Sequence, residues 1–149
     1  MKNRFFTILG VLLFITLLSA YGIYSYRNRM IQAQKTNKQY EEYRNIEILG
    51  TELISMVNKT IDTNIKNGIE RDANHYFVDN GNNTITIYVK FIYKDDIKTL
   101  RMEDIEKSGT EAFVKTYSTA SFKCTQIQYH TKTKNVKSLV FEEISEIIN

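Results

Sequence analysis

The hydrophobic pattern of the chain begins with an uncharged segment close to the N-terminus. Residues 5–26 contain no Asp, Glu, Lys or Arg, and Lys2 and Arg4 lie just before them in a short basic segment, residues 1–4. At about 1.5 Å per residue, a helix of this length spans about 33 Å, which matches a hydrocarbon core of about 30 Å. Hydroxyl side chains inside the segment can bond to carbonyls of the preceding helical turn; they are Thr7, Thr16 and Ser19. The pattern predicts a transmembrane helix over residues 5–26.

The same segment has a second interpretation, because a basic start followed by an apolar run is also typical of a cleaved signal peptide. Leu18-Ser19-Ala20 offers a poor cleavage site, and the apolar run continues to Tyr26, so we expect an uncleaved signal-anchor. The orientation of the helix in the membrane also has two interpretations. More basic residues follow the segment than precede it, which favours a cytoplasmic C-terminal domain. A basic patch ahead of an N-terminal apolar helix is typical of export, and we expect an extracytoplasmic domain.

After the anchor the pattern changes to that of a polar helix and then an amphipathic one. Residues 27–45 are rich in Gln, Lys, Glu and Asn and predict a solvated helical stalk. From Ile46, apolar residues recur at steps of three and four as far as Ile65, which predicts a helix that ends at Asn67 with Gly68 as its left-handed cap. Gly50 lies inside this stretch and is a candidate for a bend.

A strict alternation of apolar and polar residues marks the first strands. Residues 84–93 place every second residue from Ile85 on one face, and Tyr88, Lys90 and Ile92 on the other. The short apolar run 75–78 precedes it, across a turn that contains Asn80-Gly81. These features predict a β-hairpin, followed by a charged turn at Lys94-Asp95-Asp96.

The last third of the chain predicts a helix and a second hairpin. Acidic residues at the start of residues 102–117 suit a helix N-terminus. Residues 122–131 and 136–144 predict two strands, with a bulge near Thr125 or Gln126 and a tail, 142–149, that is either strand or short helix. The domain, residues 46–149, is therefore predicted to be α+β, a two-layer α-β-β-α-β-β arrangement with an antiparallel sheet.

Composition narrows the functional classes. One cysteine in 149 residues excludes an intrachain disulfide, and a formal net charge of +3 is too small to indicate a nucleic-acid-binding protein. Cys124 is expected to be a buried thiol, whereas His75 and His130 are expected at strand edges or on the surface. The adjacent acids, such as Glu103-Asp104, are expected to cap helices or to face solvent. Without a nucleophile–base pair, metal spacing or a Gly-rich phosphate loop, we expect no enzymatic activity, no cofactor and no metal.

Two groups of residues are candidates for contacts with a partner. One is the outer face of the strand 84–93; the other is the positive charge of the last hairpin, for which protection of an exposed sheet edge is the alternative explanation. Packing beneath a helix is the alternative for the outer face. The candidate contact residues are Tyr88, Lys90, Lys123, Lys132, Lys134 and Lys137.

The layout of basic leader, hydrophobic helix, helical extension and sheet domain resembles that of type IV pilins and pseudopilins. The resemblance covers the layout only, since Lys2-Asn3-Arg4-Phe5 has no cleavage Gly and residues 5–26 have no Glu. It implies a subunit that assembles in a pilus-like or secretion-like complex. We therefore expect a non-enzymatic, single-pass membrane protein of a bacterial cell envelope that contacts the bilayer and a protein partner or further copies of itself. The alternative is a membrane-tethered, cytoplasmic-facing domain that binds a small ligand in a cleft between sheet and helix.

Overall fold

The computed structural model describes residues 2–93 and 96–144 and divides the chain into two compact units, residues 1–35 and 36–149. Helix α1, Lys2–Glu41, makes up the first unit and extends into the second. It is long and apolar enough to cross a membrane, with a mean hydropathy of 2.2 over its most apolar window. Two of the expected side-chain bonds are present, because Thr16 donates to the Leu13 carbonyl (2.8 Å) and Ser19 to that of Ile15 (2.9 Å).

The second unit is an α+β domain built on a five-stranded mixed sheet with the strand order β1-β4-β5-β2-β3. Its strands are β1 Glu47–Leu49, β2 Thr86–Tyr93, β3 Asp96–Arg101, β4 Ser121–Tyr129 and β5 Val136–Glu143; its helices are α2 Gly50–Lys66, α3 Met102–Ser108 and α4 Thr110–Tyr117. Neighbouring strands are antiparallel except for β2 and β5, which are parallel. The prediction of an antiparallel sheet is wrong for this pair. The chain between β2 and β5 supplies the long crossover that parallel strands require.

The first hairpin differs from its prediction. Strand β2 pairs with β3, which begins at Asp96, the last residue of the expected turn, and continues through residues for which no element was predicted; Lys94 and Asp95 lie outside the described residues. Residues 75–78 contribute only an isolated bridge between Phe77 and Arg71. Phe77 is nevertheless buried in the core, so its apolar character reflects burial and not strand pairing.

The amphipathic helix begins later than predicted and ends where predicted. Residues 47–49 form β1 beside β4, and α2 begins at Gly50. The Gly50 N–H donates to the Ala120 carbonyl (2.9 Å), and a Cβ at this position would overlap the carbonyl oxygen of Tyr117. At the other end Asn67 is the C-cap and Gly68 has φ = +66°. Glycine therefore permits a close approach at one end of α2 and a left-handed turn beyond the other.

The later elements agree more closely with the sequence. The helix expected over residues 102–117 is present but is divided at Gly109, whose φ is +86°. Strands β4 and β5 form the second hairpin, and the register shifts between Cys124 and Gln126 as predicted. Strand β5 ends at Glu143, while residues 145–149 of the predicted tail lie outside the described residues.

One face of the sheet forms the core. The β2 side chains of Ile87, Val89 and Phe91 are completely buried in one cluster with the buried apolar side chains of α2, α3 and α4. Aromatic rings fill its centre at centroid separations of 4.7–6.5 Å; they belong to Phe91, Phe113, Tyr117 and Phe122. The end of α1 joins this core through Tyr40, whose hydroxyl meets that of Thr60 at 3.2 Å. Residues 27–41 of the predicted stalk are helical, but the helix ends at Glu41 and Tyr40 is buried, so the prediction of a solvated element is wrong at this position.

We call the other side of the sheet the open face. Its side chains alternate with the core residues, and Lys90, Ile92, Ile97 and Thr99 all belong to it. Even Val140, which is buried among its neighbours on this face, is not part of the core cluster. The buried apolar side chains of α2, α3 and α4 all belong to the core cluster, so these three helices lie against the core face and do not cover the open face. Tyr88 and Lys90 do not pack beneath a helix, contrary to the alternative expected for them.

Candidate functional site

Four charged residues stand side by side across the open face. In the observed register Glu47 of β1 pairs with Lys123 of β4, Lys123 pairs with Glu142 of β5, and Glu142 pairs with Lys90 of β2. We call Glu47, Lys123, Glu142 and Lys90 the charge row. Its signs alternate from one strand to the next, and the Lys90 ammonium lies 3.4 Å from the Glu142 carboxylate. Opposite charges on neighbouring strands stabilise the sheet modestly.

An exposed apolar row lies next to the charge row. Leu49 stands two residues beyond Glu47 on β1, and Ile92 stands two residues beyond Lys90 on β2, where it pairs with Ile97. Leu49 and Ile92 are each 47% exposed, and Ile97 is 62% exposed. Ile92 and Ile97 are neighbours, whereas Leu49 lies beside Ser121 of β4 and three strands away from Ile92. Single exposed apolar residues are common, so the row matters here through its place beside the charge row.

The opposite end of the open face contains a pocket of about 280 Å³. Phe77, Asp79 and Thr84 contribute to its lining from the segment before β2. Two rows of neighbouring side chains on the sheet form its floor. The first row is Arg101 and Tyr88. The second row is Thr86, Ser138 and Gln128. Lys137 completes the lining. We call this the polar pocket. It lies on the open face and not in the cleft between sheet and helix.

A carboxylate at the rim of the polar pocket joins several groups. Asp79 accepts hydrogen bonds from the Lys137 ammonium and the Gly81 N–H, both at 2.8 Å. These bonds lower the pKa of Asp79, and the same carboxylate raises the pKa of Lys137. His130 Nδ1 is 3.8 Å from Asp79. His130 is buried and its Nε2 donates to the Thr84 carbonyl at 2.8 Å, so the prediction of a surface histidine is wrong for His130. His75, in contrast, is exposed as predicted.

Arg101 is held in place beneath the pocket by a second acidic residue. Its guanidinium donates to the Glu103 carboxylate through Nε (3.3 Å) and Nη2 (3.0 Å), and it lies 4.5 Å above the ring centroid of Tyr76. Glu103 is completely buried and also accepts from the Phe77 N–H. Glu103 lies in the first turn of α3, as predicted for an acid near a helix N-terminus, but the expectation that it faces solvent is wrong. The expectation of a capping acid is correct for Asp104, whose carboxylate accepts the Arg101 N–H at 2.8 Å at the start of α3.

The structure separates the predicted contact residues into three places. Tyr88 and Lys137 line the polar pocket, Lys90 and Lys123 belong to the charge row, and Lys132 and Lys134 lie in the turn after β4. The last hairpin therefore does not gather its lysines into one patch. Its strands are also interior strands of the sheet, so the explanation that these lysines protect a sheet edge does not apply.

Three functional candidates were missed from the sequence. Glu47 and Glu142 complete the charge row, and Arg101 supplies a cation to the polar pocket. Glu47 was assigned to the helix predicted from Ile46, and Arg101 immediately precedes the helix predicted from Met102. Neither residue was therefore placed on a strand. The only available signal was the alternation of Ile97, Thr99 and Arg101 with their neighbours.

Comparisons of this chain with protein-family models, with curated proteins and with solved structures gave no match. The charge row, the apolar row beside it and the polar pocket are therefore the features of this chain that bear on its function.

The remaining chemistry-bearing side chains have structural surroundings. Cys124 is buried in β4, its thiol donates to the Gln126 carbonyl at 3.7 Å, and burial raises its pKa. A thiol with a raised pKa is a poor nucleophile. Among the described residues no group of three or more His, Cys, Asp or Glu side chains is placed to hold a metal ion.

Proposed function

We propose that this chain is a single-pass, membrane-anchored, non-enzymatic assembly subunit of a bacterial cell envelope, and that copies of its domain associate through their open faces. The observation that carries the proposal is the sign pattern of the charge row. Read from β1 to β2, it is acidic, basic, acidic, basic. When a second copy presents the same row in the opposite order, every acidic residue faces a basic one.

The complementarity follows from two-fold symmetry. In an interface between identical copies, each contact between two residues occurs twice. An axis parallel to the strands, between β4 and β5, reverses the row and brings two open faces together. Lys123 then faces Glu142 of the second copy, and Glu47 faces Lys90 of the second copy. All four opposed pairs combine opposite charges.

The same axis also matches the apolar row. It sets Leu49 of β1 against Ile92 of the second copy, and both side chains are about half exposed in the single chain, at 47% each. Facing sheets pack about 10 Å apart with interlocking side chains, so these residues would be withdrawn from water. Apolar burial supplies the attraction, while the charge row selects the orientation.

The membrane anchor makes a weak interface sufficient. Each exposed ion pair is worth only about 0–1 kcal/mol, so we expect little association between detached domains in dilute solution. Chains held by a membrane helix share one surface, which raises their effective concentration without any new contact. The anchor and the open face therefore act together in this proposal.

Charge reversal tests the proposed association. Lys123→Glu in the full chain, reconstituted in bilayers, should reduce cross-linked dimers about tenfold, because two opposed pairs become repulsive. Lys123→Glu with Glu142→Lys should restore them, although like charges then stand side by side within each chain. Lys132→Glu, which makes the same charge change in the exposed turn, should have no effect. Equal dimer yields for all variants would contradict the proposal.

We further propose that the domain lies outside the cytoplasm, which the export-type N-terminus supports through its basic segment and apolar helix. Protease added to intact cells or protoplasts should then remove residues beyond the anchor. The retained fragment should include residues 5–26, in agreement with an uncleaved anchor. Digestion only after lysis would favour the cytoplasmic-facing alternative, and a mature chain that begins after Ala20 would favour a cleaved signal peptide.

A further inference from the structure

The polar pocket has an excess of hydrogen-bond donors. Arg101 uses Nε and Nη2 for Glu103, and the two N–H groups of Nη1 are additional to these. Lys137 has three ammonium donors, of which one is directed at Asp79. Gln128 accepts from the Ser138 hydroxyl through Oε1 (3.2 Å), which leaves its amide NH₂ as a donor group.

The charged side chains of the lining have a net positive charge, which favours an anion as the donor excess does. Arg101 and Lys137 contribute two positive charges, whereas Asp79 is the one carboxylate in the lining. Glu103, which neutralises part of the Arg101 charge, is completely buried behind it. A ligand that enters therefore meets two cations and one carboxylate, that of Asp79, and does not meet the Glu103 carboxylate.

We propose that the polar pocket binds a small molecule through a phosphate or carboxylate group placed between Arg101 and Lys137. Guanidinium and ammonium groups form their strongest hydrogen bonds with such oxyanions. The volume of about 280 Å³ is at the lower end of small-molecule sites, so it suits a compact ligand. The ring of Tyr88, beside Arg101 in the sheet, supplies an apolar wall. The site is formed by residues other than those of the charge row and the apolar row, so it is argued from observations separate from those behind the proposed self-association.

Titration with inorganic phosphate and with acetate tests the site. The full chain in detergent is titrated at constant ionic strength, with chemical shifts or heat as the readout. Saturable binding of either anion supports the proposal, and the anion that binds more tightly identifies the preferred group. Absence of saturable binding by both anions would overturn it.

Matched variants locate the bound anion. Lys137→Gln should weaken binding about tenfold, because it removes one charge-assisted hydrogen bond. Lys132→Gln removes the same charge from the exposed turn and should change affinity less than about twofold. Arg101→Lys retains the ion pair with Glu103 but loses the planar donor set, and should also weaken binding. Equal losses from Lys137→Gln and Lys132→Gln would show general electrostatic attraction and would overturn the site. The charge row is untouched by all three changes, so failure here is distinguishable from failure of the self-association.

Discussion

Replacement of Gly50 by alanine should destabilise the domain by about 3 kcal/mol or more. Helix propensity alone predicts the opposite, since alanine is favoured over glycine by up to about 1 kcal/mol inside helices. The added methyl group, however, would overlap the backbone carbonyl of Tyr117, and a ring atom of Phe122 lies 3.5 Å from it. A backbone atom at the end of α4 cannot turn aside as a flexible side chain can, so α2 and α4 must separate.

The single cysteine provides the measurement. Cys124 is buried in the folded domain, so its reaction with a thiol reagent across a urea series reports unfolding of the full chain in detergent. Gly68→Ala is the control, because its Cβ would meet no atom within 4 Å and only the φ of +66° opposes it. We expect that control to cost about 1–2 kcal/mol. A Gly50→Ala chain as stable as the wild type would show that the approach of α2 to α4 is wrong.

Asn64→Ala should cost about 2–4 kcal/mol, because it leaves two buried backbone groups of Ile85 without their partners. The Asn64 amide donates to the Ile85 carbonyl at 2.7 Å and accepts from the Ile85 N–H at 3.0 Å. Asn64 is completely buried. This pair of bonds fixes the chain immediately before β2 against α2.

The same thiol-protection assay measures this effect. Asn58→Ala on the exposed side of α2 removes the same side chain without removing a buried bond, and should change the unfolding free energy by less than about 0.5 kcal/mol. If the two asparagine variants are equally stable, Asn64 does not hold the start of β2.

The elements that the sequence predicted well are those whose signal is local. The alternation around Ile87 and Val89 identified β2, and the parity change after Cys124 identified the bulge in β4, because side-chain direction in a strand follows a period of two. Gly68 marked the end of α2 since only glycine adopts its positive φ at low cost. The long apolar helix at the start of α1 was predicted from its length and lack of charge alone.

The elements that it predicted poorly depend on residues far apart in the chain. Strand β1 is only three residues long and is held by its pairing with β4. Its residues also fit the helical spacing of apolar residues that starts at Ile46, so the sequence predicted a helix there. Strand β3 begins in a charged stretch that has the composition of a turn. The parallel pairing of β2 with β5 requires the long crossover between them, and neither strand shows by itself which partner it takes.

The candidate site shows the same division. Tyr88 and Lys90 were assigned to the outer face of β2 from alternation, and the structure agrees. The partners that complete the charge row, Glu47 and Glu142, come from strands β1 and β5. Cross-strand register brings them together, and register is not encoded in any single segment.

Mixing two charge-reversed chains is the most direct measurement of the proposed assembly. Lys123→Glu and Glu142→Lys, carried on separately tagged full-length chains, should each associate poorly with themselves. In a mixed pair, the glutamate introduced in one chain faces the lysine introduced in the other, and the unchanged Glu142 faces the unchanged Lys123. We therefore expect hetero-dimers to recover to the wild-type level when both chains share one bilayer. Misfolded chains would not recover on mixing, which separates loss of the interface from loss of the fold. Hetero-dimers no more abundant than either homodimer would contradict the self-complementary open face.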